Sequence, residues 1–576
     1  MRGPRAGAVL VAVALGALAG ARAVGAGGGP AGGPNGPAGG AGGAAERPPN
    51  IVFVLTDDQD VLLGSLDYMP RLRRILGEGG TEVVDMFAST PVCCPSRASY
   101  MTGRYIHNID VRNNSVAGNC NGPGWRAGPE RRNVATYLQG AGYRTGFFGK
   151  YLNMYGEPEA GGLEHVPPGW DSWHGLKGNS VFYNYSLSVN GVAEEHGNSY
   201  LEDYLPDLVT NRSLDFIAEH AEAGAPFFAY ISTPTPHEPA PPAPQHAELF
   251  PNDVAPRTPS WNRQATDRDW FVAAAGVTGP FDPDPMDGDA IAYSDIMFRR
   301  RVQALQTVDE MLEKLESRLT DLGVLDDTFI VYASDNGYHL GQFGLALDKR
   351  LPYEHDIKVP LFVRGPGVAK GRKLEGTFAL NVDLFPTFLD IAGVPVPDEI
   401  DGASILPHVR AEPAGRAEPA GPTKRVDFLV DYNGEGAHEV PYTSCPGNAE
   451  DPAFDGMFCH MVPLGSTGEF AHPPYYRDHG GTKSWCSCQD SANNTYSCVR
   501  ALGDGYNFNF CEWETGETEF YDLSKDPWNL FNQAAELPEW WTLALKDRLR
   551  HLKTCEGYAA CNNLRGAGEL FGPAPS

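Results

Sequence analysis

The chain has 576 residues, with 45 Lys and Arg against 73 Asp and Glu, a formal net charge of −28. That length predicts one large domain plus a smaller one. The acidity argues against a nucleic-acid binder, which is ordinarily basic, and it repels an anionic substrate unless the site carries its own cations or metal.

Arg2 and Arg5 precede an apolar run from Ala8 to Ala19, with Ala21 and Ala23 beyond it. This predicts a secretory signal peptide over 1–23, too short to cross a bilayer. No later stretch reads as a membrane span. Residues 24–49 are almost wholly Gly, Ala and Pro and are expected to be disordered. Eleven cysteines and N-x-S/T sequons at Asn113, Asn184, Asn211 and Asn493 suit a disulfide-bonded secretory chain.

Order is expected from Asn50, where Ile51 to Leu55 is apolar without alternation, the mark of a strand buried on both faces. The acidic cluster Thr56-Asp57-Asp58-Gln59-Asp60 then falls at the strand's carboxyl end, where α/β sheets place ligands. Acidic residues there are often caps or turns. Two adjacent aspartates repel, however, and a divalent cation with hard oxygen ligands would resolve the repulsion.

The stretch Cys93-Cys94-Pro95-Ser96-Arg97 reads as the start of a helix, with Pro95 tolerated in the first turn. The first-turn amides and helix dipole would favour an oxyanion beside Cys93, and Arg97 adds a nearby cation. A Cys-Cys pair by itself reads as a buried or disulfide-bonded thiol. Asn133–Gly140 reads as a helix, and Gly142–Phe148 as a short strand leading to Lys150. A helix over about Asp203–Glu222 precedes a strand at Pro226–Ile231, which runs into Pro236-His237-Glu238-Pro239. The flanking prolines predict an extended, stiff backbone at His237.

Residues 239–290 are Pro- and Asp-rich, and so long an irregular stretch points to function. An amphipathic helix is expected over about Ala292–Leu322. The strand Phe329–Ala333 again ends in oxygen donors, Asp335 and Asn336, so two strand ends could deliver four ligands to one cation. Lys349 follows, then a strand at Val359–Val363, a helix at Asp383–Ile391 and a Pro/Gly/Ala linker at 411–424. Eight of the eleven cysteines lie between Cys445 and Cys561, predicting a disulfide-stapled α+β subdomain over 425–576. Cys486-Ser487-Cys488 lacks a matching pair at zinc spacing and reads as disulfide-forming.

Cys93-x-Pro-Ser-Arg followed by Thr102-Gly103-Arg104 resembles the signature of the sulfatase family of the alkaline-phosphatase-like superfamily. The resemblance runs from about residue 50 into the C-terminal region. It includes TDDQD at Thr56, GKYLN at Gly149, GGLEHVP at Gly161, PHEP at Pro236 and SDNGYHLGQFG at Ser334. DKR at Asp348, YEHDIKVPLFVRGPG at Tyr353 and NNTYSCVR at Asn493 continue it. It implies a large mixed, mostly parallel sheet flanked by helices over 50–410, with a smaller antiparallel C-terminal subdomain.

By that resemblance Cys93 is oxidised to formylglycine (3-oxoalanine) by a formylglycine-generating enzyme. Ca²⁺ would be held by Asp57, Asp58, Asp335, Asn336 and the residue made from Cys93. Arg97 would stabilise the aldehyde hydrate, Lys150 and Lys349 would grip sulfate, and His237 would serve the leaving oxygen. One hydroxyl of the hydrate would attack sulfur, and the second, deprotonated, would expel sulfate. Many sulfatases carry a histidine two positions after the first lysine; here Leu152 stands there, leaving the elimination base unassigned and His339 a guess.

The subgroup landmarks imply the 6-sulfate of N-acetylglucosamine in heparan or keratan sulfate as substrate, and a lysosomal or alternatively extracellular location. The alternatives are a broad arylsulfatase, a phosphonate monoester hydrolase, or a catalytically silent glycan-binding relative.

Overall fold

The computed structural model describes residues 47–264, 267–275, 286, 288–411, 425–435, 443–444, 458–462, 485–503 and 505–563. The expected signal peptide, residues 24–46 and linker residues 412–424 lie outside the described residues.

Eleven strands form one sheet. They are β1 (Asn50–Thr56), β2 (Thr81–Phe87), β3 (Arg144–Lys150), β4 (Ser172–Leu176), β5 (Ser186–Val189) and β6 (Val192–Glu195). The rest are β7 (Phe227–Ser232), β8 (Thr328–Ser334), β9 (Lys358–Val359), β10 (Leu361–Arg364) and β11 (Arg372–Leu380). The order is β11-β2-β10-β8-β1-β7-β3-β4-β5-β6, with β9 paired to β2. Strands β8, β1, β7, β3 and β4 run parallel at the centre, and antiparallel pairings appear toward both edges.

The apolar run of β1 explains its central place. Ile51, Phe53 and Leu55 enter one core, with residues of the Cys93–Thr102, Val134–Gly140 and Leu384–Ile391 helices. Val52 and Val54 enter the opposite core, under the Leu205–Glu222 and Gly288–Asp321 helices. A strand covered on both faces has no use for alternating polarity. Asn133 caps its helix by accepting from the amides of Ala135 and Thr136.

The expected Val359–Val363 strand is divided into β9 and β10 at Pro360, which has no N–H to give a ladder. The β5–β6 hairpin turns on Asn190-Gly191, both at positive φ, a dipeptide suited to that turn.

Beyond the large sheet, β12 (Asp427–Tyr432), β13 (Thr443–Ser444), β14 (Phe458–Val462) and β15 (Trp485–Asp490) follow. Then come β16 (Tyr496–Gly503), β17 (Tyr506–Trp513) and β18 (Thr518–Asp522). They build an antiparallel sheet of order β12-β16-β17-β18 and a second of order β13-β14-β15. Phe428, Val430, Phe508 and Trp541 share one hydrophobic cluster with Phe87, Val92 and Ile357, so the four-stranded sheet shares a core with the segments leading into the Cys93 helix and β9.

Disulfides join Cys94 to Cys120, Cys498 to Cys511 and Cys555 to Cys561. The side chains of Cys445, Cys459, Cys486 and Cys488 lie outside the described residues. Asn113 differs from the other three sequon asparagines. It is buried, and its amide oxygen accepts from the backbone and hydroxyl of Ser115, whereas Asn184, Asn211 and Asn493 are exposed. No helix among the described residues is long and apolar enough to cross a membrane.

Candidate active site

The site is assembled where β1 and β8 end side by side. Thr56 pairs with Ser334 at the last register position, so Asp57-Asp58 and Asp335-Asn336 leave the sheet as neighbours. The Asp58 amide donates to Asp335 Oδ1 at 2.9 Å, and the Asp335 amide donates to the Thr56 carbonyl at 3.2 Å. Asp58 takes a positive φ of 67°, a conformation a non-glycine residue holds only where its surroundings enforce it. Arg301, on the long Gly288–Asp321 helix, helps enforce it by donating to the Asp58 carbonyl and to Asp60 Oδ1.

The Cys93–Thr102 helix points its first turn at these strand ends. Cys93 Sγ lies 3.8 Å from Asp57 Oδ1. Ser96 Oγ donates to the Asp335 carbonyl at 2.6 Å, and Tyr100 OH to that of Ser334 at 2.8 Å, which fixes the helix across β8. Cys94 takes its amide partner from Asn114 Oδ1, so the amide is satisfied although Val92 offers no side-chain cap.

Arg97 is fully enclosed. Its Nε donates to Asp335 Oδ2 at 2.7 Å, its Nη1 to the Lys150 carbonyl and Ser232 Oγ, and its Nη2 lies 3.4 Å from Asp57 Oδ1. Lys150, at the end of β3, places Nζ 2.8 and 3.1 Å from the Asp57 oxygens. Lys349 places Nζ 2.7 Å from Asp58 Oδ2. His237 Nε2 stands 3.7 Å from the same oxygen, while Nδ1 donates to the Glu238 carbonyl at 2.7 Å. All nine sequence-predicted residues are therefore brought together, each within 3.8 Å of another in this constellation.

The His237 segment differs from the extended backbone expected for it. It turns twice, closed by the His237 amide on the Pro234 carbonyl and the Ala240 amide on the His237 carbonyl. Two residues carried no sequence signal of this kind. Ser180 Oγ donates to Asp57 Oδ2, the oxygen that also receives Lys150, and Ser232 positions Arg97. Leu152 faces away from the chemistry, fully buried in the hydrophobic core.

Three cations, Arg97, Lys150 and Lys349, face three carboxylates here, so the local balance does not share the large negative charge of the chain. Burial pushes the Asp57 carboxyl up, but Lys150 and Arg97 outweigh it and hold it well below the ordinary carboxylate range. Burial likewise opposes Lys349 and His237 at Asp58, and the cations prevail. At Asp335 burial prevails over Arg97, and the carboxyl is pushed up to about 7. Burial draws His237 down to about 4 despite Asp58.

Cys93 has the opposite character from a reactive thiol. Burial pushes it up to about 12 in spite of Lys150 and Lys349, so the sulfur is protonated and a poor nucleophile at any physiological pH.

The oxygen donors suit a hard divalent cation. Asp57, Asp58, Cys93 and His237 offer ligand atoms within 4.8 Å of one another. Asn336 donates through Nδ2 to Asp58 Oδ1 at 2.8 Å, and its own Oδ1 is buried with no hydrogen-bond partner among the described residues. A buried orphan acceptor beside three carboxylates is the donor set such a cation uses.

The sulfatase family model matches residues 49–394, which contains every residue of this constellation. N-acetylglucosamine-6-sulfatase of Homo sapiens is 40% identical over 518 residues, covering 89% of this chain and 86% of the relative. The arylsulfatase of Volvox carteri is 28% identical over 558 residues, covering 90% and 76%. Among solved structures, BT4656 in complex with its substrate D-glucosamine-2-N,6-O-disulfate aligns with a TM-score of 0.62 at 22% identity, covering 88% of this chain and 97% of the other. The phosphonate monoester hydrolase of Agrobacterium radiobacter aligns at 0.56 and 19% identity, covering 88% and 95%, a likeness of fold alone. With the family match spanning both strand ends and the helix between them, this chain belongs to the sulfatase family, hydrolases of sulfuric esters.

Proposed function

We propose that this chain removes the 6-sulfate of N-acetylglucosamine in sulfated glycosaminoglycans of the heparan or keratan sulfate type. The observation that carries the substrate is the 40% identity to human N-acetylglucosamine-6-sulfatase along nearly the whole of both chains. Residues 50–410 would form the catalytic portion and 425–576 the smaller subdomain.

Conversion of Cys93 to formylglycine fits a buried position where the thiol itself is inert, and the modified residue would supply a hydrated aldehyde as oxygen nucleophile. Asp57, Asp58, Asp335 and Asn336 would hold Ca²⁺, which would offset negative charge on the transferring group. The remaining work belongs to the side chains. Lys150 and Lys349 would turn from their carboxylates to the sulfate oxygens, and Arg97 would hold the nucleophile's oxygen beside Asp57. His237 keeps Nδ1–H committed to the Glu238 carbonyl, so Nε2 would orient the leaving sugar oxygen, and would pass it a proton only from the imidazolium form. Leu152, enclosed in the core, takes no part in the elimination.

The chain would enter the secretory pathway and act in the lysosome, or alternatively outside the cell. The test has two arms on protein expressed through a eukaryotic secretory pathway. The mass of the Cys93 peptide is expected to show formylglycine. Sulfate release from N-acetylglucosamine 6-sulfate is expected to exceed turnover of an aryl sulfate or a phosphonate monoester. Faster turnover of either competitor overturns the substrate assignment, and intact cysteine in most molecules supports a binding protein instead.

A further inference from the structure

Lys349 sits in backbone that does not relax by itself. Its neighbours Asp348 and Arg350 have φ of 139° and 88°, in the region favouring glycine. Such conformations persist only where the surroundings over-determine them. The hydrogen bonds around them show what does so. Asp348 exchanges backbone bonds with His339, at 2.7 and 3.2 Å, and the Arg350 amide donates to the Pro91 carbonyl at 3.1 Å, just before the Cys93 helix.

Both halves of this arrangement close on Asp356, which is wholly buried. Its carboxylate oxygens lie 3.0 and 3.1 Å from His339 Nδ1, 2.8 Å from His355 Nδ1 and 2.9 Å from the Leu351 amide. Its backbone carbonyl accepts from Gly337 at 2.7 Å, directly after Asn336. One residue therefore grips the loop that follows the Asp335-Asn336 turn and the loop that carries Lys349. Burial opposes ionisation here, but His339 and His355 outweigh it and hold Asp356 down to about 2, which favours a charged acceptor near neutral pH. Facing a carboxylate, both Nδ1 atoms are N–H donors, so each ring is tied to Asp356.

We propose that Asp356, acting through His339 Nδ1, is a positioning residue that sets Lys349 against the sulfate site. The proposal rests on the assignment of Lys349 to sulfate binding made above. It differs from a role for His339 as a base, which would use Nε2.

The test compares Asp356→Asn, His339→Leu, His339→Asn and Lys349→Met in the full-length enzyme, by steady-state kinetics on a sulfate ester with inorganic sulfate as competitive inhibitor. Asp356→Asn is expected to raise KM and the sulfate inhibition constant together, by about tenfold, with a fall in kcat. His339→Leu repeats this. His339→Asn puts an amide N–H where Nδ1–H stood and holds both constants within about threefold of the parent. A merely structural role lowers the active fraction, and so the apparent kcat, and leaves both constants in place; that result overturns the proposal. Equal impairment of His339→Asn and His339→Leu overturns it as well. Lys349→Met separates the failures. If it is impaired while Asp356→Asn is not, the relay alone falls; if it leaves both constants unchanged, the assignment of Lys349 falls with it.

Discussion

Arg97 Nε and Asp335 Oδ2 stand 2.7 Å apart, both side chains essentially without solvent exposure, and join the Cys93 helix to the end of β8. The same guanidinium reaches the Lys150 carbonyl and Ser232, so it ties together three of the strand ends that form the site. A lysine would keep the charge but lose the fork. Arg97→Lys is therefore expected to lower kcat/KM by about a hundredfold or more. Arg97→Ala strands Asp335 in the interior and should cost about 3–5 kcal/mol of stability, read from denaturant midpoints. An alanine variant as stable as the parent would show that Asp335 is neutral or otherwise partnered.

The inertness of Cys93 makes a prediction independent of turnover. In protein made without conversion, the thiol is enclosed and held up to about 12, so alkylation at pH 8 should be slow in the folded protein and fast after unfolding. Specific activity should scale with the converted fraction measured by peptide mass. Cys93→Ser should keep the fold and lose at least about a thousandfold in kcat. Full activity of unconverted protein would end the nucleophile assignment.

Much of this was legible from residues alone. An apolar run such as Ile51–Leu55 or Phe329–Ala333 announces a buried parallel strand, and oxygen donors after it announce a ligand edge. What joined Asp57 to Asp335 was less legible, because strand neighbours far apart in sequence carry no local mark of their pairing. Ser180 was invisible for the same reason: a lone serine in a loop acquires meaning only when the fold lays it against Asp57. Asp356 read as part of a family landmark, and its role emerges only from four contacts that converge on it from three segments. The prolines around His237 misled, since local hydrogen bonds turned the segment that proline sterics would have extended.

The disulfide between Cys94 and Cys120 begins one residue from the nucleophile position. Asn121, next to Cys120, donates to the carbonyls of Leu152 and Asn153, just beyond Lys150. The bond thus couples the Cys93 helix to the loop after β3. Replacing both cysteines with alanine should cost about 2–4 kcal/mol, as expected for a loop of this size, and kcat should fall more than stability alone explains. The check is kcat measured well below the melting temperature. Unchanged kcat would confine the bond to stability.

The final prediction concerns pH and lies away from the catalytic centre. Asp269 and Glu519 are both fully buried, and the Asp269 amide donates to Glu519 Oε1 at 2.7 Å. Arg268 is the cation beside them, 3.8 Å from Glu519, and the hydroxyls of Tyr353 and Tyr521 donate to Glu519 Oε2. Among the described residues, Asp269 Oδ2 has no hydrogen-bond partner. Burial, reinforced by Glu519, pushes the Asp269 carboxyl well above its ordinary range, and burial outweighs Arg268 in raising Glu519. Carboxyls raised in the folded state hold protons that the unfolded chain has already released. Their contribution to stability is complete below the ordinary carboxylate pKa, about 4, and is lost as pH rises through the folded values. The parent should therefore lose stability between pH 5 and pH 8 more steeply than Asp269→Asn, in which one of the two charges can no longer form. Melting temperatures across that range decide it. Parallel slopes would mean that the pair ionises without cost, against its burial and the one guanidinium beside it among the described residues.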